Sequence, residues 1–286
     1  MIDARPIAVI APSGAYNVQK LDDGMAIARA AGLTLHAFPE MLRPERYLAA
    51  SDDHRLNQLV EALTSPEYSA VWLARGGYGI TRLLSRLPSD LPAKPIIGFS
   101  DTTALFCALQ SDGFLVHGPV LHSLPGTDDT SRAHLFHLLK TGESSPLQGE
   151  PWISGTAEGR LVGGNLALFA ALAGTPYQAD TKDAIVLLED IGEAPYRLDR
   201  MLQQLLDSGF FEGVRGIGFG DFQGCNPPEG AGWTLKETLL DQVSRLNIPV
   251  IGNLPFGHGS QNQPFVWGQR AKIAGGTIVP AHGSLA

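Results

Sequence analysis

The chain has 286 residues, 44% of them hydrophobic and 17% charged, enough apolar material for one large domain or two smaller ones. Acidic residues outnumber basic ones by 29 to 21, for a net charge of −8, and no block of like charge occurs. That balance argues against nucleic acid and anionic membrane as partners, since both need clustered Lys and Arg.

In chain order, Ile7 to Ala11 is a short apolar run closed by Pro12-Ser13-Gly14. The spacing predicts a helix from about Gln19 to Ala31, a strand over Leu33 to Phe38, and a helix from the Ser51-Asp52-Asp53 caps to Leu63. A buried strand, Ala70 to Leu73, ends at "ARGGYG"; Ile80 to Leu87 reads as helix. Ile96 to Phe99 is a strand, Thr102 to Gln110 a helix, and Leu115 to His117 a strand. Apolar strands alternating with helices indicate α/β architecture, a parallel sheet covered on both faces. From Gly142 to Gly159 the texture turns to Gly, Ser, Pro and Glu, which reads as a connector with room for an irregular strand. The expected division is an α/β domain over 1–145 and a smaller β-rich domain over 146–286. The second begins with a helix after Gly163-Gly164-Asn165, then the strand "AIVLLED" and a helix over Tyr196 to Gly209. The strand "GIGFGDF", a helix near Leu235 to Leu246, the strand "PVIGNL" and hairpin-like strands from Phe265 to Val279 complete it.

Ser100 in "PIIGFSDTTALF" stands at the carboxyl end of a strand, where parallel sheets bind ligands. A strand–serine–helix turn lifts a hydroxyl out of the sheet, as in a nucleophile elbow, although Thr102 replaces the second glycine of G-x-S-x-G. The alternative is a plain helix cap. A serine nucleophile needs a base and a carboxylate that orients it. Of eight histidines, His117 at a strand end and His258 in the polar loop "PFGHGSQNQP" are the two candidate bases, and local pattern does not choose between them. Glu189, Asp190 and Glu193 cluster at a strand mouth; a Glu there could equally cap a turn or pair with Arg197 or Arg200. The "RGGYG" loop offers backbone N–H groups to an anion, but its spacing suits neither a dinucleotide nor a Walker phosphate loop. No C-x-x-C or H-E-x-x-H spacing suggests a metal, and no cofactor is expected. Cys107 reads as a core residue, Cys225 as a loop residue, and a bridge between them is unforced. The N-terminus runs straight into a strand pattern, and no apolar segment approaches the roughly 18 residues of a membrane helix, so a cytoplasmic location is expected.

Taken in order, "ARGGYG", "IIGFSDTTAL", "HGP", "GRLVGGNLALFAALAGTPY", "LLEDIGEAPYRLDRMLQQL" and "NLPFGHG" resemble the LD-carboxypeptidase family of serine peptidases, which includes murein tetrapeptide carboxypeptidases and microcin C immunity proteins. The likeness spans nearly the whole chain. It implies a catalytic triad of Ser100, Glu189 and His258, with Glu193 as the lesser alternative for the acid. It implies an oxyanion hole from the backbone N–H groups of Gly77 and Asp101, and leaves His117 a structural or substrate-side role. Arg75 is the candidate for substrate carboxylate binding. The implied reaction removes a terminal D-alanine from the meso-diaminopimelate of a cytoplasmic murein tetrapeptide during wall recycling. A homodimer without metal or cofactor is implied as well. The alternative is a microcin-immunity hydrolase of peptidyl or aminoacyl nucleotide amides, to which Trp152 or Trp233 could supply an aromatic platform.

Overall fold

The fold follows from where the apolar runs can be buried. In a computed structural model describing residues 2–110 and 114–281, β1 (Ile7–Ile10), β3 (Ala70–Leu73) and β4 (Ile96–Gly98) are buried at every position. Strands apolar throughout must be covered on both faces. The first half also holds α1 (Val18–Ala30), β2 (Leu35–Ala37), α2 (Asp52–Thr64), α3 (Thr102–Leu109), β5 (Leu115–His117) and α4 (Asp129–Thr141). Asn17, Ser51 and Asp128 cap α1, α2 and α4, each accepting from a backbone N–H in the first turn. Strands β1 to β5 run parallel in the order β5-β4-β3-β1-β2.

The second half contains β6 (Leu147–Gln148), β7 (Glu150–Ile153), β8 (Ala157–Asn165), α5 (Leu166–Leu172), β9 (Ala184–Ile191), α6 (Pro195–Asp207), β10 (Gly216–Gln223), α7 (Leu235–Val243), β11 (Val250–Gly252), β12 (Phe265–Val266), β13 (Arg270–Ala274) and β14 (Thr277–Pro280). Its sheet runs β6-β14-β13-β8-β9-β10-β11-β7, parallel from β8 to β11 and antiparallel at both flanks. The chain is therefore a mixed α/β protein built on two sheets.

Three expectations change. Residues Ile80 to Leu87 form two short 3₁₀ turns, Ile80–Arg82 and Leu84–Arg86, in place of one helix, the first tied at its start by Ile80 N–H to the Asp101 carboxylate. The connector after Gly142 holds β6 and β7, both edge strands, where irregular composition does least harm. Phe265–Val266 does not belong to the C-terminal hairpin, which is β13–β14 alone; β12 crosses back and pairs antiparallel with β5. Trp267 N–H donates to Leu115 O at 2.9 Å in the first sheet, and the next N–H, of Gly268, donates to Leu161 O at 2.7 Å in the second. Residues 253–264 thus bridge the two sheets.

Helix α1 lies on the turn Leu121–Gly126 so closely that a Cβ at Gly24 would sit 1.9 Å from Leu121 O. Any side chain there would push the helix off the turn.

Candidate active site

Strand β4 ends at Gly98, and α3 begins at Thr102. Between them Ser100 adopts φ +62°, left-handed backbone that a serine holds only under constraint. Thr102 N–H donates to Phe99 O at 3.3 Å and Thr103 N–H to Ser100 O at 2.9 Å, closing the turn. Neither polar side chain caps the helix. Asp101 occupies the cap position without a capping bond and sends its carboxylate elsewhere. The plain-cap reading of this stretch fails on that geometry.

The glycine loop lies directly against the turn: a Cβ on Gly76 would approach Ser100 Oγ to 3.2 Å. Gly77 follows at φ +105°, a conformation that favours glycine. The backbone N–H groups of Gly77 and Asp101 have no acceptor among the described residues. The loop is held from below. Gly14 N–H donates to Gly76 O at 3.2 Å. Buried Arg55 of α2 donates to Gly79 O at 3.1 Å, to Ala50 O at 3.2 Å and to Pro12 O, and pairs with Asp52 at 2.5 Å. Buried Asp101 accepts Ile80 N–H at 2.9 Å. Burial pushes its carboxyl up, while Ile80 N–H, Ser13 and the charge of Arg55 pull it down. No sequence pattern singled out Arg55 or the carboxylate of Asp101; the signal present was an Arg in an otherwise amphipathic helix, which ordinarily faces solvent.

Across the cleft, Glu189 follows the apolar run of β9 and is wholly inaccessible. Its Oε2 lies 2.6 Å from His258 Nδ1. A carboxylate buried in this way requires a charged or hydrogen-bonded partner. Burial alone would depress His258, but the charge and hydrogen bond of Glu189, with Asp190 and Asp221 beyond, raise it above its ordinary value. The His258 loop is anchored on both sides: Asp221 N–H to Phe256 O at 2.7 Å, Asn262 N–H to Ser131 Oγ at 3.0 Å, and Asp128 N–H to Ser260 O at 2.8 Å. The ring lies 4.8 Å from that of Phe99, the residue before Ser100. No hydrogen bond joins Ser100 Oγ to His258 among the described residues; such bonds often tighten only with substrate in place.

The other candidates separate cleanly. Glu193 pairs with Arg197 at 3.4 Å on the first turn of α6. Asp190 accepts Asn165 Nδ2 at 3.0 Å, Ala167 N–H at 2.9 Å and Ile191 N–H at 2.8 Å. Burial, then the neighbouring Glu189, pushes Asp190 up to about 6. His117 is fully buried, stacked on Phe265 at 4.5 Å, with both ring nitrogens unpartnered among the described residues. Burial, then the charge of His258, pushes it down to about 3. Arg75 is exposed and gives its guanidinium to Ala15 O. Cys107 and Cys225 are both free and buried, and Cys225 Sγ accepts Glu193 N–H at 3.3 Å. Trp152 is wedged against Phe219 and Gly252, while Trp233 is exposed. No group of metal-ligating side chains occurs, and no helix is long and apolar enough to cross a membrane, among the described residues.

A two-sheet α/β protein with a buried Glu–His pair facing a strained serine turn has relatives of known kind. The sequence profile of the LD-carboxypeptidase N-terminal domain matches residues 7–118, and that of the C-terminal domain matches residues 158–273. The murein tetrapeptide carboxypeptidase of Pseudomonas aeruginosa is 32% identical over 295 aligned positions, covering 97% of this chain and 95% of that protein. The crystal structure of muramoyltetrapeptide carboxypeptidase from Oxalobacter formigenes matches with a TM-score of 0.83 at 30% identity, covering 96% of this chain and 97% of that one. The microcin C7 self-immunity protein MccF, in complex with aspartyl sulfamoyl adenosine, shares the fold with a TM-score of 0.87 at 19% identity, covering 100% of this chain and 98% of that one. This chain belongs to the LD-carboxypeptidase family, as its motifs imply.

Proposed function

We propose that the protein is a serine-type LD-carboxypeptidase that hydrolyses the amide between meso-diaminopimelate and a terminal D-alanine in murein tetrapeptides, in the cytoplasm, during wall recycling. The observation that carries the catalytic reading is the 2.6 Å bond between buried Glu189 and His258 Nδ1. With Nδ1 engaged, Nε2 is the nitrogen left to serve Ser100. Ser100 Oγ attacks the scissile carbonyl as His258 takes its proton; the imidazolium then delivers that proton to the departing amine. Glu189 fixes the tautomer and stabilises the imidazolium. The free N–H groups of Gly77 and Asp101 meet the tetrahedral oxyanion, each a contribution of about 3 kcal/mol in comparable sites. Water then repeats the cycle on the acyl-enzyme. The substrate is read from the tetrapeptide carboxypeptidase relatives.

Incubation with L-Ala–γ-D-Glu–meso-diaminopimelate–D-Ala should release D-alanine, detectable by mass spectrometry, and Ser100→Ala should abolish that release. Silence on the tetrapeptide together with cleavage of an aminoacyl sulfamoyl adenosine would replace this substrate with the immunity-type one. Full activity of Ser100→Ala would remove the serine mechanism.

A further inference from the structure

A cavity of about 560 Å³ opens beside His258. Its wall runs from His258 and Asn262 past Gln223 to Lys20 on α1 and to His122 and Ser123 in the turn after β5. No carboxylate lines it among the described residues, with Asp221 set behind Gly259. Lys20 makes no ion pair among the described residues, in a chain where acids outnumber bases. An unpaired cation on the surface is ordinary, but here the backbone brings a second cation, Arg75, and the His122 imidazole close to it. The close seat of Gly24 on Leu121 fixes α1, and with it Lys20, over the turn that carries His122. His122 N–H donates to Ala74 O at 2.9 Å, pinning the same turn beside Arg75. Burial, then the positive fields of Arg75 and Lys20, holds the half-buried His122 imidazole below its usual range. A second feature is independent of these charges. Asn262 is 2% exposed, lines the cavity, and its Nδ2 has no hydrogen-bond partner among the described residues. A buried amide donor left unpaired is costly, and a ligand acceptor removes the cost.

We propose that this cavity is the subsite for the leaving amino acid, whose terminal carboxylate lies against Lys20 and His122, with an amide donor supplied by Asn262. The side is set by chemistry: His258 hands its proton to the departing amine, so the leaving residue occupies the space that His258 walls. The identity of the anion rests on the proposed carboxypeptidase function. Arg75, committed to the Ala15 carbonyl, adds field, and Lys20 makes the contact. The subsite makes the enzyme an exopeptidase, because a chain continuing past the leaving residue replaces its carboxylate with a neutral amide.

The test pairs the tetrapeptide with its C-terminal carboxamide. The native protein should favour the free acid in kcat/KM, and Lys20→Gln should cut the acid-to-amide ratio about tenfold, mainly through KM, as expected for loss of a charge-assisted bond. Lys20→Arg should restore the ratio. A ratio that Lys20→Gln leaves untouched overturns the subsite while the hydrolase reading stands. A measurement free of turnover separates the two: N-acetyl-D-alanine titrated into the protein should shift the His122 and His258 ring signals by NMR, and Lys20→Gln should weaken that response. Shifts without hydrolysis of any tetrapeptide retain the subsite and sink the proposed reaction; no shifts at millimolar ligand sink the subsite.

Discussion

On the wall of the cleft formed by the first sheet, the chemistry is carried by backbone; on the wall formed by the second, it is carried by side chains. Ser100 sits in left-handed backbone at φ +62°, with the free N–H groups of Gly77 and Asp101 beside it. What surrounds them is scaffolding: the guanidinium of Arg55 on Gly79 O and the carboxylate of Asp101 on Ile80 N–H. The opposite wall also has positive-φ backbone, at Gly257, but there the buried carboxylate of Glu189 sets the chemistry. Glu189 is inaccessible and His258 is raised. One wall uses its buried charges to hold geometry, and the other uses them to set proton affinity. Substitutions on the first should therefore change rate without changing pH dependence, and substitutions on the second should change both.

Ser100 offers the largest effect. Ser100→Gly should reduce kcat by roughly 10⁵-fold or more, as loss of a nucleophile does. It should also raise thermal stability by about 1 kcal/mol, because glycine adopts positive φ freely. A fall in stability would show that the turn is unstrained. Next comes Glu189→Gln, expected to cost kcat roughly 10³- to 10⁴-fold through loss of the imidazole's orientation and charge partner. Its pH profile is the sharper readout. On the proposed mechanism the base form of His258 is the active one, and Glu189 raises its pKa, so the acid limb of the native profile should lie above the ordinary 6.5 and move down in the variant. An acid limb that stays put would break the assignment.

Asp101→Ala tests the scaffolding. It leaves Ile80 N–H buried without an acceptor, a destabilisation of about 1–3 kcal/mol. Loosening the glycine loop should lower kcat about tenfold with KM and the acid limb held, since the N–H groups matter most in the transition state. The smallest effect is expected at His117. Its unfolded form takes up a proton near 6.5 and its folded form only near 3. Between those values the unfolded state binds more protons, so stability drops as pH is lowered, by at most about 1.4 kcal/mol per unit. His117→Phe, keeping the stack on Phe265, should flatten that drop in chemical denaturation at pH 4 to 6 and leave kcat within a factor of a few.

Much of this was written in local pattern. The alternation of apolar strands and helices, the serine at a strand mouth and the glycine loop before it are all visible in short windows, because strand burial and turn chemistry are local demands. The choice of His258 over His117 was not, since both follow strands and precede glycine; what separates them is that one faces Glu189 and the other lies in an apolar stack. Glu189 and Glu193 differ in the same way, four residues apart with partners on different elements. Short motifs in series carried the family likeness where single positions did not. The pairing of Phe265–Val266 with β5 was beyond reach, because nothing local to those two residues names a partner in the other half of the chain. So was Arg55, whose acceptors are four separate points in the chain.

The crossing at Trp267 and Gly268, where adjacent N–H groups join different sheets, sets when the molecule can first act. A chain leaving the ribosome has Ser100 early, but β5 waits for its edge partner until β12 emerges, close to the C-terminus. The long separation slows folding, as distant pairings do. It also means that the edge of the first sheet beside β5 is completed only when nearly the whole chain has been made. On the proposed peptidase function, late closure of that edge would hold activity back until synthesis is nearly done.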